Sequence, residues 1–384
     1  MNIPRIINLT QDLKARSVFL FGPRQSGKTT FLTSIYGKNR WFDLLRGDVF
    51  LRLSANPGRI HEELADADPE HGPVIIDEIQ KLPSLLDDVH YLIEKKGFRF
   101  ILTGSSPVKL RRSGINLLGG RARIRSMHPF VSAEVPDWNM DRALLYGGIP
   151  SVYLSEEPRD ELLAYCTSYL QLEIQSEGLV RGIEPFSRFL QTAARSNGEQ
   201  IVFERAASDA QVPARTVREY YHVLQDTLIG VMLEPVKPSK TPKRKPVSHG
   251  KFYFFDTGIA HALAGITRLD EFTPTYGKAL EHLIFTELRA WLAYNRDPRK
   301  LGFWRTDNGR EVDFVIGPDI AIEVKASRTL SGSDFKGLKA IEEEKHFRRR
   351  IIVCNEAVRR RVEDIEVYPV NIFLKDLWQG ELSL

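Results

Sequence analysis

The stretch from Gly22 to Thr29 combines residue types that bind a phosphate group. It reads G-P-R-Q-S-G-K-T and fits the pattern G-x-x-x-x-G-K-[ST]. Glycines let the backbone turn tightly enough for successive N–H groups to face a phosphate, and a helix that begins here adds its partial positive charge. We expect Lys28 to reach the β- and γ-phosphates of ATP and the Thr29 hydroxyl to bind Mg²⁺. The alternative is a glycine-rich surface turn. The predicted nucleotide-binding residues are Gly22, Pro23, Arg24, Gln25, Ser26, Gly27, Lys28, Thr29 and Thr30.

An acidic pair ends the apolar run of residues 73–78, which reads P-V-I-I-D-E. We expect Asp77 to hold Mg²⁺ and Glu78 to orient and polarise the attacking water. Strands often end in Asp or Glu, so the pair alone is a weak signal. Here it follows the phosphate-binding pattern at a distance that allows one intervening strand, residues 41–44. We expect the strand of Asp77 to lie beside the strand that leads into the loop.

Two further features add candidate residues to the nucleotide site. Thr103 and Ser105 follow the apolar run 98–102, where small hydroxyl residues could sense the γ-phosphate; a capped strand end is the alternative. Arg121 follows Gly119-Gly120, and an arginine in such a turn could act as an arginine finger in a neighbouring subunit. An ordinary surface arginine is the alternative.

Composition sets limits on the class of protein. The chain has 384 residues, which suggests two or three domains, and its 42% hydrophobic and 27% charged residues are ordinary for a globular protein. The net charge of +4 means that nucleic-acid binding must come from local patches. Two cysteines, Cys166 and Cys354, are too few for a disulfide framework and too far apart in sequence for a zinc site. With no run as long as a membrane span and no signal peptide pattern, we expect a soluble cytoplasmic protein.

The elements that position these residues alternate in the manner of an α/β fold. A short apolar strand at 17–21 precedes the loop, and residues 30–35 can open a helix. The same alternation continues through residues 1–135, which predicts a mostly parallel sheet covered by helices. Residues 136–199 have helical spacing and no strand-like run, so we expect a small helical lid.

Residues 200–257 have the layout of a winged helix. Helices are expected at 201–210 and 216–227, joined by a turn at Pro213, and strands at 228–235 and 252–255. The segment 237–251 between the strands has six lysines and arginines and no acid. Such a wing could follow a phosphate backbone, although basic loops with prolines are usually only solvated. The predicted DNA-binding residues are Arg215, Arg218, Lys243, Arg244 and Lys245.

Residues 258–384 read as a separate α/β domain with a second set of candidate residues. A hairpin is expected from 301–305 and 311–316, with Asn-Gly at its tip, followed by a strand at 320–325. Alternation along that strand places Glu323 and Lys325 on one face. With Asp313 they form D-x9-E-x-K, and two carboxylates that hold Mg²⁺ beside a lysine would suit phosphodiester hydrolysis. Glu281 lies on a helix expected at 280–294, before the hairpin, and a further helix is expected at 334–344. The alternative is a surface salt bridge.

Together these motifs resemble a widespread prokaryotic group of AAA-type ATPases fused to a C-terminal domain of unknown function related to PD-(D/E)XK nucleases. The motifs that carry the resemblance are GPRQSGKTT at 22–30, VIIDEIQKLP at 74–83, LTGSSP at 102–107, LLGGRAR at 117–123, KFYFFDTGIAHAL at 251–263, EVDFVI at 311–316 and AIEVKAS at 321–327. The resemblance implies an ASCE-type P-loop core, a lid, a winged helix and a nuclease-like α/β domain. The sensor position lacks the asparagine that many AAA proteins use.

The resemblance also implies site roles and leaves three functions open. It places the Walker lysine at Lys28, the Walker B pair at Asp77 and Glu78, and the finger at Arg121. The nuclease-like residues are Asp313, Glu323 and Lys325, with Glu281 upstream, in an order similar to that of archaeal Holliday-junction resolvases. The favoured function is an oligomeric ATP-driven motor or remodeller on DNA, including branched DNA. The alternatives are an ATP-regulated nuclease and a switch-like signalling ATPase.

Overall fold

The computed structural model describes residues 3–106, 110, 118–170, 182–237, 242–245 and 247–382. Parts of the predicted lid (171–181) and of the predicted basic wing (238–241 and 246) lie outside these described residues, as do Pro107 and Leu117 of the quoted motifs. The chain forms two compact units. One comprises residues 1–130 with 226–228, and the other comprises residues 131–225 with 229–384.

The first unit is built on a sheet of parallel strands. The strands are β1 (Ser17–Phe21), β2 (Trp41–Asp43), β3 (Val74–Asp77), β4 (Phe100–Gly104) and β5 (Ala122–Ser126). Their order in the sheet is β2-β3-β4-β1-β5. Every residue of β1, β3 and β4 is buried, as expected for a parallel sheet that is covered on both faces.

The position of Asp77 in this sheet corrects one expectation. We expected its strand to lie beside β1, but β4 lies between them and pairs in parallel with both β1 and β3. The completely buried strand β4 suits a central position, whereas the partly exposed strand β2 lies at the edge. The carboxyl ends of β1, β3 and β4 consequently meet at one edge of the sheet.

Helices cover the sheet of the first unit. The longest of them turns four leucine and valine side chains into the core at positions 85, 86, 89 and 92, a helical spacing, and ends at Gly97 with φ 75°. The helices are α1 (Thr10–Leu13), α2 (Lys28–Tyr36), α3 (Gly47–Ala55), α4 (Arg59–Glu63) and α5 (Leu85–Lys96).

The second unit begins with helices, as predicted for residues 136–199. The last of this group, α9, buries Phe186, Phe189 and Leu190 along one side. The helices are α6 (Met140–Tyr146), α7 (Pro150–Tyr153), α8 (Pro158–Ala164) and α9 (Ile183–Arg195), with a π-helical turn at Tyr165–Leu170.

Two helices and a two-stranded antiparallel sheet follow. They are α10 (Phe203–Ala210), α11 (Ala214–Asp226), β6 (Gly230–Leu233) and β7 (Lys251–Phe254). Gln211 ends α10 in the left-handed region at φ 55°, and α11 begins three residues later. The order and type of these elements are those we predicted, with end points that differ by up to two residues.

The rest of the second unit forms a six-stranded sheet with flanking helices. Its strand order is β12-β13-β11-β10-β9-β8, for β8 (Leu301–Arg305), β9 (Glu311–Ile316), β10 (Ile320–Lys325), β11 (Arg349–Cys354), β12 (Arg360–Val362) and β13 (Ile365–Pro369). The helices are α12 (Thr257–Ala264), α13 (Pro274–Tyr294), α14 (Lys336–Glu342) and α15 (Val370–Gln379).

Local sequence explains two features of this region. The predicted β8–β9 hairpin is confirmed, and Gly309 at its tip has φ 79°. Helix α13 begins at Pro274, six residues before the start that we predicted, because the Thr273 side chain caps it and proline suits the first helical position. The helix predicted at 334–344 is shorter than expected, because α14 begins at Lys336 and ends at Glu342.

The edge strand β8 of this sheet is covered by residues that lie between β6 and β7 in the chain. Val236 N–H donates to the carbonyl of Phe303 over 2.7 Å, and Phe303 N–H donates to the carbonyl of Glu234 over 3.2 Å. Farther along β8, Val247 N–H donates to the carbonyl of Arg305 over 3.0 Å. These bonds satisfy backbone groups that an edge strand would otherwise expose.

Candidate functional site

The loop between β1 and α2 has the backbone shape that a phosphate-binding loop needs. Gln25 and Gly27 lie in the left-handed region, at φ 59° and 89°. A Cβ at Gly22 would lie 2.5 Å from the carbonyl oxygen of Met127, so the close approach there requires glycine. Pro23, Arg24, Gln25 and Ser26 complete the loop, and Thr29 and Thr30 are exposed in the first turn of α2. The N-terminus of α2 therefore opens directly from the loop.

Lys28 is held against this loop by main-chain carbonyls. Its ammonium donates to the carbonyl oxygen of Gly22 over 2.7 Å and to that of Pro23 over 3.0 Å. The residue is only 6% exposed. A buried ammonium at the start of a helix is available to phosphate oxygens that replace these neutral acceptors, because a charge-assisted hydrogen bond is stronger than one to a carbonyl.

Arg5 holds the loop from another side and was missed by sequence reasoning. Its guanidinium donates to the carbonyl of Ser26 over 2.8 Å and to that of Pro129 over 3.2 Å, and it lies 5.0 Å from the ring centre of Phe130. A single arginine near residue 1 gives no pattern from which this contact could be predicted.

The two predicted Mg²⁺ ligands lie together. The Thr29 hydroxyl donates to Oδ2 of Asp77 over 2.9 Å, although the two residues are 48 positions apart. Asp77 is 2% exposed, and its other oxygen accepts from the hydroxyl of Thr103. A hydroxyl and a carboxylate are oxygen ligands of the kind that Mg²⁺ prefers, so these residues fit that ion.

Glu78 is linked to both predicted sensor residues. Its N–H donates to the hydroxyl of Thr103 over 3.1 Å. Its carboxylate accepts from the side-chain amide of Gln80, which also donates to the Ser105 hydroxyl over 3.1 Å. Glu78 lies in the left-handed region at φ 60°, an uncommon conformation for glutamate that suits a functional position. Gln80 was not predicted; its signal is its position two residues after the acidic pair.

Gln80 fits closely under the end of β4. A Cβ at Gly104 would lie 2.5 Å from the side-chain oxygen of Gln80, so a larger residue at that strand end would displace this amide. That oxygen is buried and has no hydrogen-bond partner within the part of the chain that the structure describes. A buried orphan acceptor costs free energy, which indicates that the donor side of the amide fixes its placement. Thr103, Ser105 and Gln80 thus connect the metal side of this region to Glu78.

Arg121 lies at the opposite edge of the sheet from its own phosphate-binding loop. It precedes β5, in which Ala122 pairs with Ser17 at the start of β1, while the loop follows Phe21 at the end of β1. Four residues of strand span about 13 Å. Its guanidinium pairs with Glu94, and its side chain is 37% exposed. Arg121 is therefore placed away from the nucleotide residues of its own chain.

A second group of ionisable residues lies buried in the C-terminal region. Glu281 comes from α13, Asp313 from β9, and Glu323 and Lys325 from β10, and Lys325 pairs with Oε1 of Glu323 over 2.5 Å. Phe314 pairs with Ile322 in the two antiparallel strands, and Asp313 lies just before Phe314 as Glu323 lies just after Ile322, so the two acids are next to that pair on the same side. The four predicted nuclease-like residues thus belong to one region, with Glu311 as a further member.

Lys251 from β7 enters the same group and was not predicted. Its ammonium lies 3.0 Å from Oε1 of Glu281, 2.6 Å from Oε1 of Glu311 and 3.7 Å from Oδ1 of Asp313. The Tyr253 hydroxyl, two residues on, donates to the same Glu281 oxygen. Among the residues that the structure describes, no three His, Cys, Asp or Glu side chains are placed to hold one metal ion.

Burial and crowding shift the pKa values of this group. Burial, followed by the charge of Glu281, raises the pKa of Asp313 to about 7. Burial and the neighbouring Asp313 raise the pKa of Glu323 well above its ordinary value. Burial would lower the pKa of Lys251, but the carboxylates around it, Glu281 first, hold that pKa well above the ordinary value. The lysine therefore stays charged.

The predicted DNA-binding residues have different surroundings. Arg215 and Arg218 lie exposed on α11, paired with Glu219 at 3.3 Å and Glu204 at 3.6 Å. Arg218 also stacks on the ring of Phe203, 4.8 Å from its centre. Both keep most of their surface open to solvent, with side chains 91% and 56% exposed.

The three basic residues of the wing are drawn toward acidic neighbours. Arg244 is 24% exposed and bonds to Glu343 at 2.6 Å and Glu344 at 3.3 Å. Lys245 is exposed and lies 3.3 Å from Asp307, whereas Lys243 is exposed and donates its main-chain N–H to Glu344. The charge of Arg244 is therefore neutralised within the same unit, and its predicted contact with DNA stays a prediction.

A separate buried carboxylate, Glu287 of α13, joins distant parts of the second unit. It accepts from the N–H of Ser132 over 2.7 Å, from the Ser132 hydroxyl over 3.1 Å and from the indole of Trp378 over 2.6 Å. Burial is the main reason that the pKa of Glu287 rises to about 7, and the charge of Glu134 adds to it.

No helix in the described part of the chain has the length and apolar character needed to cross a membrane.

Comparison with protein families divides the chain into three matched parts. Residues 14–135 match an AAA domain. Residues 137–270 and 276–373 match two domains of unknown function, DUF8612 and DUF4143. The N-terminal part is thus similar to AAA domains, which supports an ATPase. No curated protein matches the chain.

Several solved structures are loosely similar to the chain. A Walker-type ATPase of Pyrococcus abyssi matches with a TM-score of 0.47 and 14% identity, over 66% of this chain and 93% of its own. A signal transduction ATPase with a tetratricopeptide repeat sensor from Pyrococcus horikoshii matches at 0.23 and 12%, over 77% of this chain and 51% of its own. The Aeropyrum pernix ORC1 protein, solved in complex with DNA, matches at 0.25 and 14%, over 67% and 91%. These likenesses are too loose to carry an argument.

Proposed function

We propose that this chain hydrolyses ATP with Mg²⁺ and acts as a homo-oligomer on DNA. The observation that carries the ATPase part is the hydrogen-bond path from Thr29 through Asp77 and Thr103 to the N–H of Glu78. It joins the phosphate-binding loop to both acidic residues at the edge where β1, β3 and β4 end. The AAA match of residues 14–135 supports the same assignment.

Each residue of this path has a distinct task in the proposed reaction. Thr29 and Asp77 would hold Mg²⁺, which would neutralise charge on the phosphates. Lys28 exchanges its carbonyl partners for phosphate oxygens and orients the nucleotide. Glu78 orients the attacking water and polarises it, with its carboxylate held by Gln80. Thr103 donates to Asp77 and accepts from the N–H of Glu78. It therefore fixes the proposed metal ligand relative to the proposed water-activating residue.

Arg121 is proposed to complete the site of a neighbouring subunit. The supporting observation is its place at the far edge of the sheet, about 13 Å of strand away from the loop of its own chain. An arginine supplied by a second chain stabilises charge that develops on the transferred phosphoryl group. In this proposal, Arg121 exchanges Glu94 for that phosphate when the subunits assemble.

DNA is proposed as the partner through the exposed face of α11. Arg215 and Arg218 lie on the second helix of a helix-turn-helix, keep most of their surface open, and carry charges that pair with phosphates. Helix-turn-helix followed by the β6–β7 hairpin supports the winged-helix interpretation. Lys243 and Lys245 are exposed additions to this surface, whereas Arg244 is engaged with acidic residues.

For the C-terminal region we favour DNA handling over cleavage. A PD-(D/E)XK-like cleavage mechanism would need Asp313 and Glu323 to share a metal ion beside Lys325. Asp313 already accepts from the N–H of Val324 over 2.8 Å and has the ammonium of Lys251 3.7 Å away. An ATP-regulated nuclease and a switch-like signalling ATPase are the two alternatives. One assay distinguishes them from each other and from the proposed function.

The assay measures steady-state ATP turnover with Mg²⁺, alone and with single-stranded, duplex and branched DNA. A motor or remodeller predicts faster turnover with at least one DNA, and no stimulation in Glu78→Gln. The same reactions, run with labelled branched DNA, report cleavage, and Asp313→Ala is the control for the nuclease. Slow turnover that no DNA changes would reject the DNA role and support the signalling switch.

A further inference from the structure

The buried acidic group in the second unit contains a cation that belongs to the chain itself. Glu281, Glu311, Asp313 and Glu323 bring four carboxylates together from α13, β9 and β10. Lys251 comes from β7, an element outside the six-stranded sheet, and its side chain is 4% exposed. A lysine this buried is rare unless it is paired, and here three carboxylates lie within 3.7 Å of its ammonium.

The position of this ammonium is incompatible with a metal ion held by the same oxygens. A divalent cation such as Mg²⁺ or Ca²⁺ binds carboxylate oxygens at about 2.0–2.6 Å. The oxygens of Glu281, Glu311 and Asp313 converge on the lysine nitrogen instead. Placing a second positive charge between them would bring two cations into one small, buried space, where their repulsion is weakly screened.

The segment that carries Lys251 is fastened to the same sheet by independent contacts. Tyr253 lies on the same face of β7 and donates to Glu281. Val236 and Val247, which lie between β6 and β7, donate main-chain hydrogen bonds to Phe303 and Arg305 of β8. Phe303 also packs its ring 5.4 Å from the ammonium of Lys251. The lysine is therefore supplied by a hairpin whose position is fixed.

One carboxylate oxygen of the group has no hydrogen-bond partner among the described residues. It is the buried Oε2 of Glu323, whose Oε1 pairs with Lys325. An unpartnered buried oxygen beside three other carboxylates is what a metal-binding group would present if one cation were withdrawn. The group thus has more carboxylates than cations, and no three of them, as arranged around the resident lysine, are placed to hold one metal ion.

We propose that Lys251 is the resident cation of this carboxylate group, which occupies the place of a divalent metal ion and ties β7 to the C-terminal sheet. The wild-type group consequently takes up no divalent ion. Removing the ammonium, without removing the carboxylates, leaves Glu281, Glu311 and Asp313, whose oxygens surround it, to bind a divalent ion in its place.

Mn²⁺ binding to the nucleotide-free full-length chain tests this proposal. Free Mn²⁺ is measured by electron paramagnetic resonance for the wild type, Lys251→Met, and Lys251→Met combined with Asp313→Asn. We expect no Asp313-dependent binding in the wild type, one Mn²⁺ per chain in Lys251→Met, and loss of that ion in the double variant. Lys245→Met removes the same charge from an exposed position of the hairpin and should bind no Mn²⁺.

Two results would overturn the proposal. The first is wild-type Mn²⁺ binding that Asp313→Asn abolishes, because the group then accepts a metal with its lysine present. The second is a folded Lys251→Met that binds no Mn²⁺. If Lys251→Met does not fold, its stability is compared with that of Lys251→Met combined with Glu281→Gln. Recovery of stability in this double variant supports the counter-ion role, and no recovery contradicts it.

Discussion

The side-chain amide of Gln80 donates a hydrogen bond to the carboxylate of Glu78, two positions before it in the chain. The same amide donates to Ser105 at the end of β4, so the orientation of Glu78 is tied to a neighbouring strand. This hydrogen bond makes Gln80 a positioning residue for the proposed water-activating group.

Gln80→Leu should therefore lower ATP turnover by about 10- to 100-fold, the usual cost of losing a partner that orients a catalytic ligand. Nucleotide affinity should change little, since Gln80 is not placed at the loop. Steady-state turnover and nucleotide titration check the two effects separately, and Gln80→Glu, which cannot donate in its ionised form, should resemble Gln80→Leu. Equal loss of affinity and turnover would assign Gln80 to folding alone.

Mixing two inactive variants tests the placement of Arg121 across a subunit boundary. Arg121→Ala lacks the finger but keeps its loop, and Lys28→Ala lacks the loop lysine but keeps its finger. Mixed assemblies should recover part of the wild-type turnover, because some interfaces combine an intact loop with an intact arginine. Arg123→Ala is the matched control. Arg123 pairs with Asp12 of its own chain, so this variant alone should keep its turnover. A monomer whose specific activity does not vary with protein concentration would reject this arrangement.

Neutralising Arg215 and Arg218 tests the proposed DNA surface on α11. The double alanine variant should bind all DNA sequences more weakly, and its salt dependence should fall by roughly 0.9 log units for each DNA phosphate that these arginines no longer neutralise. Arg244→Ala should change the salt dependence less, because that guanidinium already pairs with Glu343 and Glu344. Fluorescence anisotropy over a range of salt concentrations measures both. Arg361→Ala provides an exposed control on β12, and an unchanged slope in the double variant would remove α11 from the interface.

Glu287 predicts a pH-dependent contribution to stability. Its pKa in the folded chain is about 7, against an ordinary 4.5. The folded state therefore retains the proton at pH values where the unfolded chain has lost it. The stabilising contribution is complete below the ordinary pKa and is lost as the pH rises to about 7, an effect of about 3 kcal/mol.

Glu287→Gln removes this titration. If the variant has a lower free energy of unfolding than the wild type at pH 4.5, this difference should shrink or change sign as the pH rises to about 7. Urea unfolding at several pH values in this range measures the difference in free energy of unfolding. Glu271→Gln, an exposed acid paired with Arg328, should show no such trend. A difference between Glu287→Gln and wild type that is constant with pH would show that the carboxyl does not titrate as described.

The sequence predicted features that depend on neighbouring residues. The loop from Gly22 to Thr29 follows from the glycine positions and the strand and helix around it. The hairpin of β8 and β9 follows from Asn308-Gly309, because this pair favours a tight turn. Helix-turn-helix and hairpin elements around Pro213 were predicted from periodicity, with errors only at their ends.

Features that depend on tertiary contacts were not predicted. The place of β4 between β1 and β3 depends on which strands are buried on both faces, and chain order does not give this. Arg5 and Lys251 act on residues far from them in sequence; Arg5 lies in no quoted motif, and the motif that begins at Lys251 gives no sign of its acidic partners. The neutralisation of Arg244 could not be foreseen, because Glu343 and Glu344 lie about a hundred residues farther along the chain.

The most direct test of the central claim compares ATP binding and ATP turnover in Glu78→Gln, with Lys28→Ala as the control. We predict that Glu78→Gln binds ATP with Mg²⁺ as the wild type does. Its turnover should be lower by a factor of about 100 or more, since only activation of the water is lost. Lys28→Ala should lose binding and turnover together. Wild-type turnover in Glu78→Gln would contradict the account, because the group placed at the end of β3 would then have no part in hydrolysis.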